Sequence, residues 1–206
     1  MADRTYGDGC GVAHALDLIG ERWALLVVRE LTLGPQRFSD LRAGLPAASP
    51  NVLSQRLRDL EAAGVVRRRK LPPPAASQVY ELTEHGAELR PILTALGTWA
   101  LRAERPPAGP VSAVSAMLTL QTYFSSPATG LVRVLLGERA YLARLAGGRA
   151  EVAPDDTSAR ADATVEAGPD TFVEVLTARR PITAMTLTGD LATVERMIAG
   201  IRMPGR

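Results

Sequence analysis

Residues 49–82 decide the fold of the first half of this chain, and they read SPNVLSQRLRDLEAAGVVRRRKLPPPAASQVYEL. The pair Ser49-Pro50 predicts the start of a helix, because a serine hydroxyl can accept from the first free N–H groups and proline has the backbone angle of the first helical position. Gly64 predicts the end of the helix. Between them leucines recur at i, i+4 and i+7, which predicts one face buried in a core. This stripe consists of Leu53, Leu57 and Leu60.

The opposite face of this helix carries amide and guanidinium groups from Asn51, Gln55 and Arg58. Asn and Gln can bond bidentately to adenine and Arg to guanine, so these are side chains that read base edges in a major groove. An ordinary amphipathic helix on a protein surface would show the same polar face. The helix alone does not decide between the two interpretations.

The segment after the helix favours DNA binding. Residues 65–71 begin like a strand and carry four consecutive cations, and residues 79–82 supply a return strand after the proline-led loop 72–78. A winged helix places such a hairpin, its wing, against the sugar-phosphate backbone. The predicted DNA-contacting residues are Ser49, Pro50, Asn51, Ser54, Gln55, Arg56, Arg58, Arg67, Arg68, Arg69 and Lys70.

Charge supports the same interpretation through its clustering. Residues 56–70 contain six cations and two anions, whereas the whole chain has 24 basic and 22 acidic residues and a net charge of only +2. A cation run by itself is also typical of a solvated edge strand that resists aggregation.

Length and composition limit the protein classes. With 206 residues, 46% hydrophobic and 22% charged, the chain can form one large domain or two small ones with a real core. No apolar run reaches the roughly 20 residues that span a bilayer, and no signal-peptide pattern is present, so we expect a cytoplasmic protein without a membrane partner. A single cysteine excludes an internal disulfide framework. With two histidines and no phosphate loop or metal-ligand spacing, the sequence predicts no enzyme, metal or cofactor.

A boundary between two domains is predicted at residues 104–110, which read ERPPAGP. Three prolines and a glycine interrupt the helical pattern there. We therefore expect a first domain over residues 1–104, a linker over 105–110 and a second domain over 111–206.

The rest of the first domain is predicted to be helical. Residues 12–33 hold one or two helices broken near Gly20, and Ser39 caps a short helix through Leu45. Thr83 or Glu84 opens a long helix whose apolar face is broader than packing on one side requires, which predicts contact with a second subunit. That face carries Leu89, Ile92, Leu93, Leu96, Trp99 and Ala100. A homodimer suits DNA reading, since two recognition helices about 34–36 Å apart match successive major-groove faces.

Several ordered motifs resemble a known family. They are ALDLIGERW at 15–23, GPQRFSDL at 34–41, SPNVLSQRL at 49–57 and YELT at 80–83. Residues 8–103 closely resemble the HxlR-type helix-turn-helix regulators. The resemblance implies a homodimeric winged-helix transcription regulator, usually bacterial, with 49–63 as recognition helix and 67–80 as wing. The family includes repressors and activators, so the direction of regulation does not carry over.

Cys10 lies where some members of that family carry a thiol that senses electrophiles or oxidants. His14 follows four residues later, so an imidazolium or a helix N-terminus could favour the thiolate. The alternative is a small buried hydrophobe beside a surface histidine.

Residues 111–206 predict an α+β domain with an antiparallel sheet. After an opening helix, strands are expected at 130–136, 139–145, 149–152, 161–167 and 185–188, with helices at 169–177 and 191–201.

The order of these elements resembles the sterol carrier protein type of fold, which implies an apolar tunnel for a hydrophobic small molecule. The candidate lining residues are Leu131, Leu135, Leu142, Phe172, Leu176 and Met185. The alternative is that they form plain core. The connection at 178–184 is short, so a reduced tunnel or none is also consistent with the sequence.

Three functions therefore remain open. The first is a DNA-binding regulator modulated by a hydrophobic ligand, and the second is a redox regulator acting through Cys10. The third is a lipid or small-molecule carrier, or an enzyme, although no residue pattern supports catalysis.

Overall fold

A computed structural model of the chain describes residues 5–72, 77–103, 109–155 and 159–204. The chain divides into two compact units, Met1–Leu93 and Thr94–Arg206. This division falls earlier than the predicted linker at 105–110, of which residues 105–108 lie outside the described residues.

The first unit contains a helical part and a hairpin. Its helices are α1 (Gly11–Ile19), α2 (Ala24–Glu30), α3 (Phe38–Gly44), α4 (Pro50–Ala62) and α5 (Glu84–Ala87), and α6 (Leu89–Ala100) begins in it. Strands β1 (Val66–Lys70) and β2 (Gln78–Leu82) pair antiparallel and form the predicted wing hairpin. Of the predicted wing loop, residues 73–76 lie outside the described residues.

The core of this unit is built around the predicted leucine stripe of α4. Leu53, Leu57 and Leu60 are at most 1% exposed and pack in one cluster with apolar residues of α2, such as Val27, and of α3, such as Leu41. Burying a leucine side chain stabilises a fold by about 1.5–3 kcal/mol. The stripe therefore fixes which side of α4 faces outward.

The predicted break in the N-terminal helical segment is confirmed. Gly20 caps the C-terminus of α1, and Trp23 adopts a left-handed conformation with φ of 79° immediately before α2. A right-handed helix cannot continue through that conformation.

Two helix predictions are corrected. Helix α3 is capped by Arg37 rather than Ser39, because the Asp40 carboxylate accepts from the Arg37 backbone N–H at 2.9 Å. The long helix after the wing is two helices: Thr83 caps α5 as predicted, but Pro91 has no N–H to donate to the carbonyl four residues earlier.

The second unit is an α+β domain. Its elements are α7 (Ala113–Tyr123), β3 (Gly130–Leu136), β4 (Arg139–Ala146), β5 (Arg149–Pro154), β6 (Ala163–Ala167), α8 (Pro169–Leu176), β7 (Thr186–Gly189) and α9 (Leu191–Ala199).

The sheet of this unit has the order β5-β4-β3-β6-β7 and is mixed, which corrects the predicted antiparallel sheet. Strands β3 and β6 pair in parallel, whereas the other neighbours pair antiparallel. After the β3-β4-β5 meander the chain crosses back to the open edge of β3, and a crossover of this length permits a parallel neighbour. Sequence alternation predicted the strands but carries no information on their direction.

Within the described ranges, no helix combines the length and the apolar character needed to cross a membrane.

Candidate nucleic-acid interface

The N-terminus of α4 is capped as predicted. The Ser49 hydroxyl accepts from the Val52 backbone N–H at 3.3 Å, and Pro50 occupies the first turn. Ser49, Pro50 and Asn51 are exposed, Ser54 is half-buried, and all lie on α4 or at its cap.

The polar side chains further along α4 are joined to one another. The Gln55 Nε2 donates to Asp59 Oδ1 at 2.7 Å, and the Arg58 Nη2 donates to Gln55 Oε1 at 2.6 Å. Arg58 is exposed and Gln55 is half-buried. The predicted base-reading pair is therefore held together on the outer side of the helix.

Arg56, which was predicted to contact DNA, is directed toward the protein. Its side chain is only 15% exposed and forms ion pairs with Glu21 at 3.2 Å and Asp59 at 3.1 Å. The reason is its position on the helix, three residues after Leu53 and four before Leu60, which places it beside the buried stripe.

The wing presents Arg67, Arg68, Arg69 and Lys70 as exposed side chains. Its three arginines pair with carboxylates. Glu81 accepts from Arg67 Nε and Arg69 Nε, each at 2.8 Å, and Arg68 Nε lies 2.8 Å from a Glu61 oxygen. The Arg68 guanidinium also lies 5.3 Å from the centre of the Tyr80 ring.

Two of these arginines set the charge state of Glu81. Partial burial by itself would raise the pKa of this carboxyl, but hydrogen bonds and positive charge from Arg69 and Arg67 lower the pKa below its usual value. Glu81 therefore stays ionised and keeps both guanidinium groups aligned along one side of the hairpin.

A hollow of about 430 Å³ lies between α3 and the start of α4, lined by Arg42, Pro46 and Ser49 among others. Arg42 is exposed. Sequence reasoning did not single it out, although the first helix of a helix-turn-helix crosses the DNA backbone. Arg37 was also missed, and its Nε donates to the Ser77 hydroxyl at 3.1 Å, which joins the start of α3 to the wing.

Cys10 is exposed, which makes the alternative of a buried hydrophobe wrong. It is the N-terminal cap of α1. The Cys10 side chain accepts no capping hydrogen bond, but the nearby backbone N–H groups of Val12 and Ala13 lower the pKa of the thiol from its ordinary value. His14 is exposed as well.

The structure does not bring the six candidate pocket residues together. Leu131 and Leu135 alternate along β3 with the buried Val132 and Val134, and the register places Leu142 on the same face as Leu131 and Leu135. All three are half-buried, whereas Phe172, Leu176 and Met185 are buried. Because successive strand residues point to opposite faces, the sheet separates the first three from the core on the other face.

A hollow of about 550 Å³ in this unit lies elsewhere, between the loop 126–129 and the end of α9, and is lined by Arg196 and Arg202. In the parts of the chain that the structure describes, no three His, Cys, Asp or Glu side chains gather as metal ligands would.

Comparison with known proteins places the first domain in a family. The model of the HxlR-like helix-turn-helix family matches residues 18–106. The uncharacterized transcriptional regulator YvaP of Bacillus subtilis is 44% identical over 86 residues, which are 42% of this chain and 80% of that protein. The chain belongs to the HxlR-like helix-turn-helix family. The regulator YodB of the same organism is 35% identical over 86 residues, which are 42% of this chain and 77% of YodB.

A solved structure of reduced YodB is 32% identical, covers 48% of this chain and 98% of the YodB chain, and has a TM-score of 0.43. The HxlR-like relatives are named as transcriptional regulators. The protein is accordingly a helix-turn-helix transcription regulator, a class that binds DNA, and not an enzyme. Residues 107–206 lie beyond the family match.

Proposed function

We propose that the protein is a homodimeric, cytoplasmic transcription regulator that reads an inverted-repeat operator. Helix α4 lies in the major groove, and the wing contacts the flanking phosphates. The observation that carries this proposal is the orientation of α4. Its leucine stripe is buried, and Asn51, Gln55 and Arg58 are left on the other side, on the same domain as a hairpin with four exposed cations.

The two groups of side chains have different tasks in this proposal. Amide and guanidinium groups on α4 distinguish base pairs, because they match the donor and acceptor pattern of adenine and guanine. Arg67, Arg68, Arg69 and Lys70 contact phosphates, which positions the protein without reading sequence.

Dimerisation is proposed through α6. Ile92, Leu96 and Trp99 recur at i, i+4 and i+7 and are 53%, 44% and 71% exposed. Exposing three large apolar side chains on one helical stripe is unfavourable in water, and a second copy would cover them. A two-fold axis would then present two α4 helices to successive groove faces.

The experiment that tests the proposal is selection of bound duplexes from a random pool by the purified full chain. An inverted repeat is expected, whereas a pool without enrichment would refute sequence-specific binding. On the selected duplex, Arg58→Ala or Gln55→Ala is expected to cost about 1–3 kcal/mol and to relax base preference.

Alanine at Arg67, Arg68 and Arg69 is expected to act differently from alanine on α4. It weakens binding to every duplex, and the slope of log affinity against log salt concentration flattens by up to about 0.9 for each phosphate that is no longer neutralised. Equal losses on specific and random duplexes for both sets of variants would contradict the division of roles.

The second domain is proposed to bind a hydrophobic small molecule that modulates DNA binding. The proposal rests on the resemblance to sterol carrier proteins, and the buried Phe172, Leu176 and Met185 are the candidate contacts. A thermal-shift screen of lipids and apolar aromatics tests it. A stabilising compound must also change operator affinity, and without both effects this domain is a scaffold or a carrier module.

A second candidate function is sensing of electrophiles or oxidants by Cys10. The exposed thiol and the backbone N–H groups that favour its thiolate support this alternative. Cys10→Ser should keep operator affinity and lose the response to an electrophile such as a quinone. An unchanged response would remove this function.

A further inference from the structure

Asp59 lies at the centre of a chain of polar contacts on α4. One carboxylate oxygen, Oδ1, accepts from Gln55 Nε2 at 2.7 Å, and Oδ2 lies 3.1 Å from Arg56 Nη2. Beyond these, Gln55 Oε1 accepts from Arg58 Nη2 at 2.6 Å, and Arg56 Nη1 lies 3.2 Å from Glu21 Oε2. Five side chains therefore connect the segment before α2 to the outer face of α4.

These contacts determine which way the Gln55 amide points. In the opposite orientation its Nε2 group would face the Arg58 donor and its Oε1 would face the Asp59 carboxylate. Both contacts would then be repulsive. An amide has two N–H donors and two acceptor lone pairs. One N–H donates to Asp59 and one lone pair accepts from Arg58. One donor and one acceptor of the amide remain, and these are the two groups with which a glutamine binds the edge of adenine.

The network also explains how a carboxylate is tolerated one turn from a DNA-reading side chain. An isolated Asp59 would repel phosphates. Arg56, whose side chain is only 15% exposed and is held by Glu21, supplies a compensating positive charge at 3.1 Å. Arg56, which Asp59 shares with Glu21, thus offsets part of the Asp59 charge from the protein side, and its guanidinium is engaged by carboxylates.

We infer that Asp59 is a positioning residue for base recognition, acting through Gln55 and Arg58, with Arg56 as its anchor. This inference rests on the proposed base-reading role of α4. It adds that specificity depends on a carboxylate that itself contacts no base.

The test uses the full chain and a duplex that it selects from a random pool, together with single base-pair variants of that duplex. For each protein, the affinity for the selected duplex is divided by the affinity for each single base-pair variant. The base pair at which Gln55→Ala lowers this ratio most is the one that Gln55 reads. Asp59→Ala should lower the ratio at that same base pair by about 2- to 10-fold, the effect of removing one aligned hydrogen bond. The double variant should lose no more than Gln55→Ala alone.

Glu61→Ala is the matched control, because it removes the same charge from the same helix two residues later. Glu61 pairs with Arg68 on the wing, so its removal should shift affinity for all duplexes alike and leave the ratio in place. Circular dichroism and thermal unfolding establish that both variants fold, and the Asp59 side chain is 40% exposed, so its removal should not disturb the core.

Each remaining outcome has one meaning. If Gln55→Ala lowers the ratio and Asp59→Ala does not, the positioning role is wrong and base reading by α4 stands. If Glu61→Ala lowers the ratio as much as Asp59→Ala, general charge and not alignment is responsible, and the inference is overturned. If Gln55→Ala changes no base preference, the base-reading role itself fails, and the inference fails with it.

Discussion

Replacing Glu81 with glutamine should tighten binding to DNA of any sequence. Each oxygen of the Glu81 carboxylate holds one wing arginine at 2.8 Å, so a single side chain offsets the charge of Arg67 and Arg69 in the free protein. Glutamine is nearly isosteric but neutral. The substitution therefore releases both guanidinium groups toward phosphates while leaving the hairpin in place.

The magnitude follows from the exposure of the two pairs. Arg67 and Arg69 are 65% and 45% exposed, so each ion pair contributes about 0.2–1 kcal/mol. If both pairs compete with phosphate, Glu81→Gln should tighten binding to a random-sequence duplex by about 2- to 30-fold. The free energy of unfolding should fall by about 0.4–2 kcal/mol, the sum of the two ion pairs that the variant lacks. Affinity is measured by fluorescence anisotropy over a range of salt concentrations, and stability by urea unfolding.

Glu138→Gln is the control for this experiment, because it makes the same change in net charge at an exposed turn of the second unit. It should leave both affinity and stability close to those of the wild type. Unchanged or weaker binding by Glu81→Gln would refute the reasoning, since the wing arginines would then keep their carboxylate partner on DNA or would not contact phosphates.

Other perturbations test the fold and the assembly. The pKa of Glu81 is lower in the folded chain than the ordinary value of about 4.3. The ionised carboxylate therefore stabilises the fold above that pH, and this contribution is lost as the pH falls through the lowered pKa. Urea unfolding over a range of pH should show that Glu81→Gln lacks this acid-dependent loss of stability. Gly44→Ala would press a methyl group onto the buried Glu30 carboxylate and should lower the free energy of unfolding by about 1–3 kcal/mol in the same assay. Gly97→Ala is the control, because open space surrounds Gly97, and it should leave stability unchanged or slightly higher. Trp99→Glu should convert the proposed dimer to a monomer in light scattering and weaken operator binding. Gly97→Glu, on the other side of α6, should change neither. If Trp99→Glu remains a dimer, the proposed interface is wrong.

The sequence predicted the first domain well because its signals are local. The cap at Ser49, the leucine period of α4 and the valine-led start of the first wing strand each depend on neighbours within a few residues, and all three appear in the structure. The helix after the wing was predicted less well. Pro91 lies within its apolar pattern, and the break that it causes depends on a missing N–H that periodicity does not register.

The second domain shows the limit of the same reasoning. Strand positions could be predicted, but the parallel pairing of β3 with β6 depends on where a distant crossover returns. The six candidate lining residues are divided between the two faces of the sheet for a simpler reason. Leu131 and Leu135 are as apolar as Val132 and Val134, so the sequence does not show which of the two faces is covered. The structure shows it, because Val132 and Val134 are buried and the two leucines are only half-buried. Composition cannot make that distinction when both faces of a strand carry apolar residues.

Two carboxylates from outside residues 56–70 change the charge of the proposed DNA-binding surface. Residues 56–70 have an excess of four positive charges when counted along the chain. Folding adds Glu21 beside Arg56 and Glu81 beside two wing arginines, which reduces the local excess to two. Fewer uncompensated cations mean weaker attraction to DNA of arbitrary sequence, since that attraction scales with the number of phosphates neutralised. If α4 reads base pairs as proposed, base contacts then supply a larger share of the operator affinity. The ratio between operator and other DNA stays the same, because weaker phosphate attraction lowers the affinity for both alike.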